Sequence, residues 1–375
     1  LPGAFGALLV PSATSFLVIL FPVAERAVRA KAIGIFSGIA VGGAAFGFVV
    51  GGALTDYLSW RWCLYINIPL SVIAVFGALL VLSNRESSDR VKLDIPDAVL
   101  ACRGMAALVY GLGEVAGRGW TSNVVLVALA AAMVLLLAFV VLQARVRSPL
   151  LPLRVVTERN RAGSFLARAL LGVAQFGLFL FLTYQFQVIM GYSPLIAGVA
   201  LIPVLAANAL GSVAIAPRLV PHISPRFLIV PGMLLNVAAL FLLAHLTPTT
   251  SYLPLLFVAE LLLGLGGGLT ITPATHTALS GIDPKDAGVT SGMASASSQI
   301  GASIGTALLN SIAASAAAAH LAAHATSDPN TVIVLGYTVA ATWGAWILLA
   351  GALLVAVLIN ANPKFQLAVG ATAHT

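Results

Sequence analysis

The chain has 375 residues, 60% of them hydrophobic and 8% charged, with a mean hydropathy of +1.03. A soluble globular domain carries about 25% charged residues, so this composition argues against a water-soluble fold and for a polytopic membrane protein. The formal net charge of +7 is therefore no sign of nucleic-acid binding, because excess Lys and Arg in a membrane protein mark cytoplasmic loops.

A spanning helix needs about 20 apolar residues. Taken in chain order, eleven segments qualify, near 1–21, 32–55, 62–83, 96–114, 123–143, 163–190, 195–217, 226–246, 252–279, 287–313 and 332–360. The opening LPGAFGALLVPSATSFLVILF has no basic leader and no cleavage site, so it reads as a membrane helix entered at its start or middle. The tenth segment is small and polar rather than greasy, but Gly301-x-x-x-Gly305 and its serines suit a helix buried among helices. The stretch QARVRSPLLPLRVVTERNRA is basic and contains proline, which fits a link between two helical bundles. Cys63 and Cys102 lie in apolar surroundings and form no disulfide framework or metal spacing.

The charges set the topology. With the loop after the first helix placed in the cytoplasm, that side holds Arg26, Arg29, Lys31, Arg85, Arg90, Lys92, Arg145, Arg147, Arg154, Arg159, Arg161, Arg218, Arg226, Lys285 and Lys364. The opposite side holds Arg61 and Arg118, and Arg103 and Arg168 fall within helices. This asymmetry supports eleven helices and a cytoplasmic C-terminus. Omitting the tenth helix would put Lys364 on the wrong side.

Ionisable residues inside a membrane are costly and hence functional candidates. Glu260, in LLFVAELLLGLGGG, is the clearest: it is either a proton or cation site or a hydrogen-bonded carboxyl that joins helices. Arg103 and Arg168 enter from the cytoplasmic side and are expected to snorkel to the interface. Asp97 and Glu114 lie at helix ends, where solvation is expected. Gln175, Tyr184, Gln185 and Gln187, on one helix, must face a partner or a cavity. They either line a substrate path or bond between helices, and the same alternatives hold for Asn208, Asn236, Gln299 and Asn310. Trp343 and Trp346 either stack on an aromatic substrate or simply pack. His320 and His324 have the spacing of two imidazoles on one helix face, without the glutamate or third ligand a metal site needs. No nucleophile elbow, phosphate-binding loop or paired acidic motif supports an enzyme or an ATP-driven pump.

The second segment, GIFSGIAVGGAAFGFVVGG, contains Gly34, Gly38, Gly42, Gly43, Gly47, Gly51 and Gly52, each costing about 1 kcal/mol relative to Ala inside a helix. Gly34, Gly38 and Gly42 form one stripe. Gly43, Gly47 and Gly51 form a second, which starts on roughly the opposite face because nine residues advance by about 180°. The expectation is a helix wedged between two neighbours, each approaching a smooth groove.

The spacing Gly34-x8-Gly43-x3-Gly47-Phe48-x2-Gly51-Gly52 resembles the antiporter signature of the major facilitator superfamily, G-x8-G-x3-G-P-x2-G-G. The following GGALTDYLSWRWCLYINIPLSV is similar to its 14-helix drug:proton antiporter family (EmrB/QacA-type multidrug efflux). DIPDAVLACRGMAALVYG resembles the start of that family's extra helix pair, and GYSPLIAGVALIP and the glycine-rich run from Leu263 resemble its second half. The resemblance implies an all-α major facilitator fold whose eleven helices correspond to helices 4–14, with the first three absent. Residues 1–95 would be the remainder of the N-terminal bundle, 96–143 the extra pair, 144–162 a cytoplasmic linker, and 163–375 the C-terminal six-helix bundle and tail. Phe48 stands in place of the signature's proline, and Pro2 in place of the fourth-helix glutamine.

By that resemblance the chain is no enzyme and needs no cofactor beyond a proton gradient. It implies export of small amphipathic compounds or drugs across the cytoplasmic membrane by alternating access. The alternatives are a specific metabolite transporter of the same superfamily, or a truncated fragment that does not transport. Its partners would be a small-molecule substrate, protons and lipid, with no nucleic acid. The residues assigned to this function are Gly34, Gly43, Gly47, Gly51 and Gly52 for helix motion, with Glu260, Gln185, Gln175, Asn208 and Trp343 for the cavity or proton site.

Overall fold

The structure is a computed structural model that describes residues 26–81, 95–146, 152–282, 286–324, 326 and 328–360. The expected first helix at 1–21, with Pro2, and the charges Arg85, Arg90, Lys92, Arg147, Lys285 and Lys364 lie outside the described residues. Among those residues the elements are helical and there is no strand.

In chain order the helices are α1 (Arg26–Tyr57), the single turn α2 (Trp62–Tyr65), α3 (Asn67–Val81), α4 (Ile95–Arg118) and α5 (Asn123–Arg145). The short α6 (Leu153–Thr157) leads into α7 (Arg159–Tyr184), which ends in a π turn (Gln185–Ile189). Next come α8 (Pro194–Ala200), α9 (Ile202–Ala209) with a π turn (Leu210–Ile215), and α10 (Ala216–Leu219). The last four are α11 (Arg226–Leu243), α12 (Phe257–Leu279) after a π turn (Tyr252–Leu256), α13 (Ala287–Ala323) and α14 (Pro329–Leu358). Nine segments among the described residues are long and apolar enough to cross a membrane. They coincide with the third to eleventh expected spans, and α1 contains the second.

Local sequence explains the boundaries. Glu158 caps α7 by accepting from the backbone N–H groups of Asn160 (3.1 Å) and Arg161 (2.9 Å). α8 and α14 start with proline just after a capping Ser193 and Asp328. Pro203 separates α8 from α9 because it has no N–H to continue the ladder. The small, polar segment forms a helix of 37 residues, ten longer than expected, because AASAAAAHLAA is dominated by the best helix former.

The core lies among α7 to α9 and α11 to α14. Here the helices meet backbone to backbone. A methyl group on Gly301 or Gly305 would overlap Ala169 or Val173 of α7, and one on Gly264 or Gly268 would overlap Val204 or Asn208 of α9. The expectation of a buried, closely packed Gly301-x-x-x-Gly305 helix is therefore met. The α4–α5 pair packs against itself, with Gly104 against Leu136, and α4 also lies on α13.

For α1 the packing expectation needs correction. Its contact with α8 is made by the face bearing Phe48 and Gly52, one turn apart. A Cβ on Gly52 would come within 2.6 Å of the Pro194 carbonyl. Gly47 sits about 100–140° and Gly43 about 140–180° round the helix from those two residues. Both are exposed, and a Cβ on either would meet nothing within 4 Å among the described residues, while a Cβ on Gly51 would meet Cys63 Sγ at 4.0 Å. The second groove is thus open. Gly34 lies in the described backbone of α1, without a described environment.

Candidate functional site

Two of the expected polar residues converge on α12, whose glycines leave room for them. The side-chain amides of Gln175 on α7 and Asn208 on α9 both abut Gly267, which has no side chain to exclude them. Beside them a narrow cleft is lined by Gln175, Leu178, Phe179, Leu182, Val204 and Leu263. Its walls are apolar with one amide.

Glu260 lies two turns nearer the start of α12. It is fully buried, and its Oε2 is 3.1 Å from the Tyr252 hydroxyl, which is also 3.1 Å from the Ala200 carbonyl at the end of α8. Glu260 Oε1 has no protein partner. The rings of Tyr252 and Tyr192 both pack on Phe186, at 5.9 and 6.0 Å. Gln185, one residue before Phe186, is buried with Nε2 unpartnered. The structure thus brings Gln175 and Asn208 together, places Glu260 on the same helix as their meeting point, and buries Gln185 beside the aromatic cluster.

Other expectations are corrected. Trp343 is 56% exposed on the outside of the bundle, because α14 turns its small residues Ala341, Gly344 and Ala345 inward. Trp346 is also exposed and packs on Phe241 at 5.5 Å. Tyr184, Gln187 and Gln299 are exposed, whereas Asn236 is buried and donates to the Gly232 carbonyl at 2.9 Å. Arg168 does not snorkel. Its Nε donates to the Ala294 carbonyl (2.8 Å) and its Nη1 to Thr275 Oγ1 (2.6 Å), pinning α7 to α12 and α13. Arg103 is exposed. Asp97 is buried rather than solvated and accepts from Gln143 Nε2 at 2.7 Å. Glu114 pairs with Arg118 at 2.5 Å. His320 and His324 stack at 4.8 Å, and no cluster of three metal-ligating residues occurs among the described residues.

Sequence reasoning missed Tyr252 and Asp56. Tyr252 precedes Glu260 by eight residues across Pro254, outside any simple helical register. Asp56 accepts from Ser193 Oγ (2.6 Å) and from the backbone N–H of Leu195 (3.3 Å), so α1 caps the start of α8. The Ser193–Pro194 pair was legible as a helix start, but its second cap lies 137 residues away.

An all-helical, membrane-spanning body with amides and one carboxyl gathered between its helices defines the class of polytopic membrane transporters, not enzymes. The sequence matches the Major Facilitator Superfamily over residues 1–306, and the chain belongs to that superfamily. It is 42% identical over 368 residues to a puromycin resistance protein of Streptomyces alboniger, covering 97% of this chain and 73% of that one. It is 36% identical to a cephamycin export protein of Amycolatopsis lactamdurans, covering 78% and 60% respectively. With a tetracenomycin C resistance and export protein of Streptomyces glaucescens it shares 30% identity, covering 78% and 54%. The alignments therefore span between about half and three quarters of these relatives.

Proposed function

We propose that this chain forms the larger part of a drug exporter of the cytoplasmic membrane, driven by inward proton flow, with its C-terminus in the cytoplasm. The observation that carries the reading is the cleft at Gln175, bordered by Phe179. The Phe48 ring of α1 lies 5.8 Å from that of Phe179. The helix bearing the antiporter-like glycines thus reaches an apolar, amide-bearing cleft in the other bundle. The relatives named for resistance to or export of puromycin, cephamycin and tetracenomycin C support amphipathic organic cargo. Glu260, buried near the outer end of the same bundle, supports proton coupling.

The test is susceptibility of an efflux-deficient host that expresses the full-length gene, with and without a protonophore. We expect resistance to several amphipathic compounds, lost with the protonophore. No resistance across a broad panel would overturn the reading. Resistance to a single compound would replace it with a specific metabolite transporter.

A further inference from the structure

The contacts of Glu260 pose a problem in counting hydrogens. Tyr252 Oη is 3.1 Å from Glu260 Oε2 and 3.1 Å from the Ala200 carbonyl. A tyrosine hydroxyl has one hydrogen, and an ionised carboxylate is only an acceptor. With Glu260 ionised, one of these two contacts has no hydrogen in it. A proton on Oε2 supplies the missing one: Glu260 then donates to Tyr252, and Tyr252 donates to Ala200. It also removes a net charge from a side chain with 0% exposure, where an unpaired carboxylate costs far more than a neutral carboxyl. Oε1, which has no protein partner, becomes a carbonyl oxygen instead of half of a buried anion.

We propose that Glu260 carries a proton in this conformation, and that Glu260–Tyr252–Ala200 is a protonation-dependent latch joining α12 to α8 and, through α8, to α1. The helix α8 has only seven residues. Ala200 at its end receives Tyr252, while Gly198 and Pro194 abut Phe48 and Gly52 of α1, and Ser193 donates to Asp56. When the Oε2 proton leaves, Tyr252 turns its single hydrogen to the carboxylate and the Ala200 carbonyl loses its donor. The short helix that seats α1 is then untied from α12.

Few other ionisable groups face the pair among the described residues. Tyr192 shares Phe186 with Tyr252. On α7, Arg168 bonds Thr275, fifteen residues along α12 from Glu260, or about 22 Å. Arg226 opens α11 at that same end, since Gly232 of α11 lies against Thr270; past the other end of α11, the end nearer Glu260, His245 is exposed and bonds the Phe241 carbonyl at 2.8 Å. On α10, Arg218 donates to Ala214. His320 of α13 is stacked on His324.

This inference deepens the proton-coupled reading, so its test uses no transport signal. In the full-length protein, with Cys63→Ser and Cys102→Ser, nitroxide labels on Ile196→Cys and Val258→Cys report the α8–α12 distance. Both positions are exposed, at 53% and 40%. We expect strong dipolar broadening at acid pH that weakens at alkaline pH. Glu260→Gln, whose amide N–H replaces the carboxyl O–H, should hold the acid spectrum throughout, and Tyr252→Phe should abolish the pH dependence. The same pH response in Glu260→Gln as in the parent, or none in the parent, overturns the latch. An infrared titration of the unlabelled parent gives an independent reading. A neutral-carboxyl band that shifts in D2O and disappears at alkaline pH supports the latch, and its absence overturns it. A proton-driven exporter without these signals would sink the latch alone; a protein with them that exports regardless of protonophore would sink only the coupling reading.

Discussion

Gly198 of α8 lies directly beneath the carbonyl of Phe48 on α1, so close that a methyl group on Gly198 would overlap it. Phe48 is also the residue that replaces proline in the antiporter-like signature. One contact therefore holds the point where the signature departs from its pattern and the seat of α1 on α8.

Gly198→Leu should force α1 off α8. Overpacking of this kind costs about 1–3 kcal/mol, and the strain falls on one crossing. We expect the protein to reach the membrane at near-normal level with a lowered melting temperature in detergent, and to lose export in the susceptibility assay. Unchanged melting and export would show that α1 and α8 do not depend on this contact.

The glycines divide into packed and open ones, and substitution should separate them. Gly305→Val pushes side-chain atoms into the Val173 backbone and should abolish folding or lower stability by several kcal/mol, on the scale of core disruption (about 1–3 kcal/mol or more). Gly43→Ala meets nothing within 4 Å. It should leave melting unchanged or raise it, by up to about 1 kcal/mol from helix propensity. A lower melting temperature for Gly43→Ala would reveal a neighbour on that face in the full-length protein.

Arg168 forks between Ala294 and Thr275, and lysine cannot reproduce two bonds diverging from a planar guanidinium. Arg168→Lys should cost about 1.5–3 kcal/mol, the range for one hydrogen bond to a charged group. Measured by thermal unfolding with Thr275→Val as the second arm of a double-mutant cycle, the two effects should be less than additive. Full additivity would mean that Arg168 snorkels after all.

Phe48→Pro restores the signature. It removes the N–H bond to Ala44 and places a ring against that carbonyl, a cost of about 3 kcal/mol unless the helix bends. It also removes the ring 5.8 Å from Phe179. We expect lower thermal stability and altered export selectivity, since Phe179 lines the cleft. Selectivity identical to the parent would separate α1 from the cleft.

Much of the architecture was legible in the chain because a bilayer imposes strict local rules. Backbone groups in hydrocarbon must be satisfied within the segment, so length and apolarity alone locate helices. Glu260 stood out by the same logic, since a carboxylate amid leucines is conspicuous. What the chain could not reveal was which face of each helix meets which neighbour. Six of the seven glycines of α1 form two regular stripes by phase, yet Gly52, outside both, packs while Gly43 and Gly47 stay open among the described residues. The denser contacts fall instead on Gly264, Gly268, Gly301 and Gly305. Trp343 and Arg168 exchanged their expected settings for the same reason.

The sequence by itself determined that this is an all-helical membrane transporter, where the spans of the described residues run, and that a carboxyl falls inside one of them. These follow from composition and from interactions a few residues apart. Only the tertiary structure decided that Tyr252 bridges Glu260 to Ala200, that Asp56 caps a helix 137 residues away, and that Gln175 and Asn208 meet over Gly267. Such pairings depend on helix rotation and crossing, which are settled by side-chain volumes summed over whole interfaces and leave no periodic trace in any one segment.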